Sequence, residues 1–173
     1  MRKLVPVLLL SLLATPAAAQ QINLQSTLER LAAKTANKTE VNLDASMLKL
    51  ASQFLSDGDK DEAGAKKLVE SLKGVYVRVF EFDKPGAYAP GDLDALRGQL
   101  KGPRWGQIVS MHEKDETVEV WMHQEGDNTT GMMVISMEPQ EVTVVNLVGM
   151  IRPADLAALS GQFGIPTIET KKD

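Results

Sequence analysis

Between Gly74 and Met150 apolar and polar residues alternate in five short runs divided by turn-forming residues, and a period of two admits a sheet and little else. The runs cover residues 75–82, 105–112, 117–123, 131–137 and 141–150. Only a few polar residues join each of the last four to the next, so neighbours pair antiparallel as an up-and-down meander. In the first run the valines take one face while Tyr76, Arg78, Phe80 and Phe82 take the other, the mark of an interior strand. The last run is apolar on both faces and does not suit a bare edge.

The first half reads as helical. Ile22, Leu24, Leu28, Leu31 and Ala32 recur at near-helical spacing, and Ser26 with Glu29 makes a capping box for a helix over 27–35. Residues 37–39 are polar and read as a loop, followed by a brief Val41-Asn42-Leu43 stretch. Asp44 caps a second helix on which Met47, Leu48, Ala51, Phe54 and Leu55 form one apolar stripe. A third helix over 61–73 buries Ala65, Leu68, Val69 and Leu72, and Gly74 ends it in the left-handed conformation. After the Lys84-Pro85-Gly86 turn, Asp92 starts a short helix carrying Leu93, Leu96 and Leu100, and the strand at Trp105 returns to the same sheet. A closing helix begins at Pro153, with Leu156 and Leu159 facing inward. The pattern predicts an α+β fold: an antiparallel five-stranded sheet packed against several short helices, with a helical N-terminal part.

Arg2 and Lys3, an apolar run over 4–14, and Ala17-Ala18-Ala19 have the order of a secretory signal peptide. Residues 1–19 are predicted to be removed after Ala19, leaving 20–173 as one α+β domain in the periplasm or outside the cell. The leader's apolar run falls short of the roughly 20 residues a membrane-spanning helix needs, and the mature chain is predicted to carry no span. Cysteine is absent, so no lipid-attachment residue and no disulfide is available, and stability rests on packing. The full chain has a formal net charge of −4, and losing Arg2 and Lys3 makes it more acidic. An acidic surface without a basic run makes nucleic acid and anionic lipid poor candidate partners, and no nucleic acid partner is expected.

The chemistry-bearing residues do not converge. Asp57, Asp59 and Asp61 have the spacing of early calcium ligands, but the sixth position of that loop is Glu62 where Gly is needed and the twelfth is Leu68 where Glu is needed. A turn at 113–116 pairs His112 with Thr117, Met111 with Val118 and Val109 with Val120, and sets Ile108 on a face with Trp121, Glu119 and Ser110. His123 then lies roughly 20 Å from His112 along the ladder, too far to share one metal ion. Residues 125–131 read as a wide loop whose glycine amides could cradle an anion, or simply as a hairpin. Met111, Met122, Met133 and Met137 read as core fillers in preference to a copper site. No metal or other cofactor is implied.

The leader followed by a helix with Met47 and Leu48, the block Gly74-Val75-Tyr76-Val77-Arg78-Val79-Phe80-Glu81-Phe82, Trp105 before the meander, and Asn146-Leu147-Val148-Gly149 followed by Leu156 resemble domain-of-unknown-function family 4252. The resemblance spans essentially the mature chain, implies an exported bacterial protein and lends no catalytic residues. The leading expectation is a non-enzymatic envelope protein that binds an envelope partner or a small ligand. Arg78, Trp105, Trp121 and Asn128 are the candidate binding residues, because Arg and aromatic groups dominate protein contacts when exposed. The alternatives are an enzyme pairing Asp83 or Asp92 with His123 as acid and base, and a structural protein that forms a homodimer through a sheet face or edge.

Overall fold

The computed structural model describes residues 22–56, 58 and 60–152. The leader, Asp57 and Asp59 of the acidic turn, and the closing helix expected from Pro153 lie outside the described residues.

The chain opens with two four-residue helices, α1 (Leu24–Thr27) and α2 (Glu29–Ala32), in place of one helix over 27–35. Asn23 is the cap, in place of Ser26: its Oδ1 accepts the Ser26 N–H at 3.1 Å. Thr27 Oγ1 donates to the Asn23 carbonyl at 2.7 Å, a local bond that competes with helix continuation.

The predicted five-stranded sheet is corrected to six antiparallel strands. The added strand is β1 (Asn37–Asp44), which the sequence presents as a polar loop and short stretch. It pairs with β2 (Leu72–Glu81) from Asn37 opposite Glu81 to Asp44 opposite Gly74. The remaining strands are β3 (Trp105–His112), β4 (Thr117–Glu125), β5 (Asn128–Glu138) and β6 (Glu141–Gly149). Their order is β1-β2-β6-β5-β4-β3, so the last strand inserts at the centre and β1 and β3 form the edges. An edge strand need bury little, which is why β1 lacks an apolar signature.

Asp44 caps α3 (Ala45–Ser52) as expected, its Oδ1 accepting the Ser46 and Met47 N–H groups at 2.9 Å each. The next helix, α4 (Lys60–Ser71), passes straight into β2, so Gly74 is a strand residue opposite Val148 and no helix cap. Its missing Cβ accommodates the Tyr76 ring, which would lie 2.8 Å from such an atom. The left-handed glycine at this junction is Gly149, with φ +142°. Between β2 and β3 come a 3-10 turn (Pro90–Leu93) and α5 (Asp94–Leu100).

Each sheet face carries a core. On one, Leu24, Leu28, Leu31, Leu93, Leu96 and Leu100 pack against Phe80, Met133, Ile135, Val142 and Val144. On the other, Leu48, Leu68 and Leu72 pack with Val75, Val118, Val120, Val134, Val145, Leu147 and Ile151. Each fully buried aliphatic side chain contributes about 1.5–3 kcal/mol. Of the four methionines expected as core fillers, Met133 and Met137 are buried while Met111 and Met122 are half-buried; Met132, which was not among them, is buried on the opposite face from Met133.

A Cβ on residue 149 would sit 2.6 Å from both Leu72 Cα and the Ser71 carbonyl oxygen, backbone atoms that cannot step aside. Gly149→Ala is therefore expected to destabilise the protein by about 2–3 kcal/mol, read as a lower urea midpoint at unchanged m value.

Candidate functional site

The four residues singled out from sequence are not brought together. Arg78, on β2, spends its guanidinium on β1: Nη1 donates to the Val41 and Val77 carbonyls at 3.1 and 2.8 Å, and Nη2 to Asn42 Oδ1 at 2.7 Å. Glu40 adds an ion pair at 3.3 Å. The arginine is thus a clamp that fastens the edge strand. Trp105 and Trp121 lie two and one strands beyond β5 and are half-buried against the α5 face. Trp121 Nε1 donates to Glu119 Oε2 at 3.2 Å, and Trp105 meets His123 edge-on with ring centroids 5.2 Å apart. Asn128 is exposed at the start of β5. The wide loop expected over 125–131 is instead a two-residue turn, Gly126-Asp127, which Gly126 permits by adopting φ +61°.

The β3–β4 register has the expected pairs His112–Thr117, Met111–Val118 and Val109–Val120. A bulge between Gln107 and Val109 then sets Trp121 opposite Gln107 and leaves Ile108 52% exposed, so Ile108 and Trp121 are not the cross-strand neighbours that an unbroken ladder would make them. His123 pairs with Trp105, at the far end of the hairpin from His112. It is buried and bonds Thr130 Oγ1 through Nδ1 at 2.8 Å. Burial holds its pKa below the ordinary histidine value, against the opposing pull of the Glu125 charge and with a smaller push in the same direction from Arg104. Asp92 is engaged elsewhere, with Lys34 Nζ at 2.7 Å and the Ala89 N–H at 2.9 Å, and the Lys34 bond lowers its pKa. Asp83 is exposed at the end of β2, where its carbonyl accepts from the Gln140 amide.

Sequence reasoning missed the ion pair of half-buried Arg97 with buried Glu119. Arg97 Nε and Nη2 donate to Glu119 Oε1 at 3.0 and 2.6 Å, and Nη1 donates to the Pro90 carbonyl at 2.7 Å. The available signal was a carboxylate between Val118 and Val120, on the strand face it shares with Trp121. This pair fixes α5 across β4.

Two surface features among the described residues adjoin β1. One is a cleft of about 760 Å³ beside α1, floored by Tyr76, Arg78 and Asn146 and rimmed by Asn23, Asn42 and Lys73. The other is the flank formed by β1 and α3. Of the expected apolar stripe on α3 and the turn after it, only Leu48 is buried; Met47 and Phe54 are 51% and 82% exposed, and Leu50 joins them at 57%. The stripe does not face the core because α3 turns Leu48 and Ser52 inward, while Ala45, Lys49, Ser52 and Gln53 line a cleft shared with Lys66, Val69 and Glu70 of α4. Among the described residues no group of three or more His, Cys, Asp or Glu is placed to hold a metal ion, and no helix is long and apolar enough to cross a membrane.

The profile of the family described as "Domain of unknown function (DUF4252)" matches residues 33–159, and the chain belongs to that family. No curated protein and no solved structure matches it. The matched span takes in β1 and α3 and begins after α2.

A histidine whose folded pKa is depressed is held neutral, so below its unfolded pKa the unfolded chain binds the proton first and stability falls. Stability is therefore expected to decline as pH drops from about 6.5 through the folded pKa of His123, and His123→Gln should flatten that part of a urea-midpoint profile. Arg97→Ala strands a buried carboxylate and should cost about 2–4 kcal/mol. Calorimetry should show Arg97→Leu with Glu119→Leu losing much less, since no charge is then left alone.

Proposed function

We propose that this DUF4252 protein is an exported, non-enzymatic interaction module of the bacterial envelope, with the leader cleaved after Ala19 and residues 20–173 acting as one domain. Its docking surface is the β1–α3 flank, and the candidate residues Arg78, Trp105, Trp121 and Asn128 contribute through Arg78 alone, which holds that flank in shape. The supporting observation is the exposure of Phe54, Leu50 and Met47 along α3 and the turn after it, 82%, 57% and 51%, directly after a strand that forms one edge of the sheet among the described residues. Large apolar groups gathered in this way mark protein contact sites. The export reading is supported by Arg2, Lys3, the apolar run behind them and the small residues Ala17 and Ala19.

A photoreactive amino acid in place of Phe54, in the full chain exported through its own leader, should give covalent protein adducts in the envelope. The same group in place of exposed Lys101, at the end of α5, should give none. Equal yields at the two positions, or no adduct at position 54, would refute the flank as an interface.

A further inference from the structure

The β1 edge carries information about what can pair with it. Arg78 Nη1 donates at once to the Val41 and Val77 carbonyls, so both oxygens point into the gap between β1 and β2. Val41 and Val77 are therefore a mutually hydrogen-bonded pair of the ladder. Because the direction alternates along a strand, Lys38, Glu40, Asn42 and Asp44 turn their backbone N–H and C=O groups outward, to whatever lies beyond the edge. Their side chains share one face. Thr39, Val41 and Leu43 share the other, with Val79, Val77 and Val75 of β2 and with α3.

We infer that β1 pairs antiparallel with β1 of a second copy of this chain, about a two-fold axis through Val41, so that Lys38 meets Asp44 at both ends and Glu40 meets Asn42. This rests on the reading of the flank as an interface and names its occupant. Charge selects the register. An axis through Glu40 sets Glu40 against Glu40, and one through Asn42 sets Glu40 against Asp44, like charges directly opposed in both cases. An axis through Thr39 opposes Lys38 to Glu40 but pairs only residues 37–41 with each other. The axis through Val41 pairs residues 38–44 and puts Val41 beside its own copy. Asp44 keeps its capping role in this arrangement, since Oδ1 already holds the start of α3.

The helices agree with this occupant. Met47 and Leu50 lie on the side of α3 away from the cleft it shares with α4, and exposed Phe54 follows in the turn after the helix. Val41, 38% exposed, is on the sheet face that α3 covers. Two copies joined through β1 bring their α3 helices to either side of the axis on one sheet face, where stripe can cover stripe above the paired Val41 residues.

The chain has no cysteine, so single cysteines report the axis directly. Across an antiparallel non-hydrogen-bonded pair the Cα atoms are about 4.5 Å apart, within the range a disulfide spans. Val41→Cys in the otherwise unchanged mature protein should oxidise to a disulfide dimer on a non-reducing gel, and Thr39→Cys, Glu40→Cys and Asn42→Cys should stay monomeric. In sedimentation, Lys38→Glu should weaken the dimer by about tenfold or more, and adding Asp44→Asn, which keeps a good cap, should recover part of the loss. Preferential cross-linking at residue 39, 40 or 42 would overturn the register. A protein that stays monomeric at every concentration, with no cross-link at Val41→Cys, would overturn the second copy as occupant; adducts to other proteins at position 54 would then leave the interaction module standing, and their absence would remove both.

Discussion

The fold is held by the insertion of the last strand, β6, between β2 and β5. Without it the helices α3 and α4 with the β1–β2 pair form one body and the β3–β4–β5 meander forms another. β6 supplies Val142 and Val144 to the core under α5 and Val145 and Leu147 to the core under α3, all with at most 4% exposure. A strand covered on both faces and bonded on both edges can be satisfied only when both neighbours are in place. The junction at Gly149 is tight for the same reason: β6 must end against the backbone where α4 becomes β2. Because β2 and β6 are far apart in sequence, this pairing closes a long loop and is the step that should limit the folding rate.

The two faces of this sheet are put to different use. On the α5 face the helices are tied by side-chain polar bonds as well as packing, with Arg97 bridging Glu119 and Pro90 and Lys34 bridging Asp92. On the α3 face the cover is made of helices joined to β1 and β2 without intervening loops, and α3 inherits its position from the edge strand that precedes it. Anything that moves β1 therefore moves α3. Arg78 is the device that limits this, with bonds to Val41, Asn42 and Glu40 on the strand it clamps.

The strands from 105 to 149 were legible because each buries a row of side chains, and burial is what imposes alternation on a sequence. β1 was not, for the converse reason: Asn37, Lys38, Glu40 and Asn42 are exposed, and only Val41 and Leu43 carry an apolar period. Bulges were equally invisible, since a single extra residue at Ile108 or Thr130 leaves composition unchanged while shifting every cross-strand partner beyond it. The stripe on α3 shows a different limit. Periodicity groups Met47 with Leu48 and Phe54, but Leu48 alone is buried and Phe54 lies in the turn past the end of α3; a period carries no term for where a helix stops or whether anything covers it. The candidate site was hidden by the same ambiguity. Arg78 looked like a surface anchor because its carbonyl partners on Val41 and Val77 belong to backbone, which leaves no mark in the sequence.

Charged residues on an edge strand are commonly a defence against indiscriminate pairing, and β1 fits that description with Lys38, Glu40 and Asp44 on one face. Defence alone would be served by any dense set of charges, most simply by a single sign. The mixture on β1 does something narrower, because a strand bearing both signs repels itself in some alignments and attracts itself in others. An apolar strip on the opposite face, Val41 and Leu43, with exposed Met47 and Leu50 on α3 and Phe54 in the turn after it, would make an edge built only for exclusion a hazard. The same residues are coherent if one alignment is to be allowed. On the proposed pairing, the weak strand signal of β1 and the exposed apolar residues of α3 have one cause: both belong to the surface that the second copy covers.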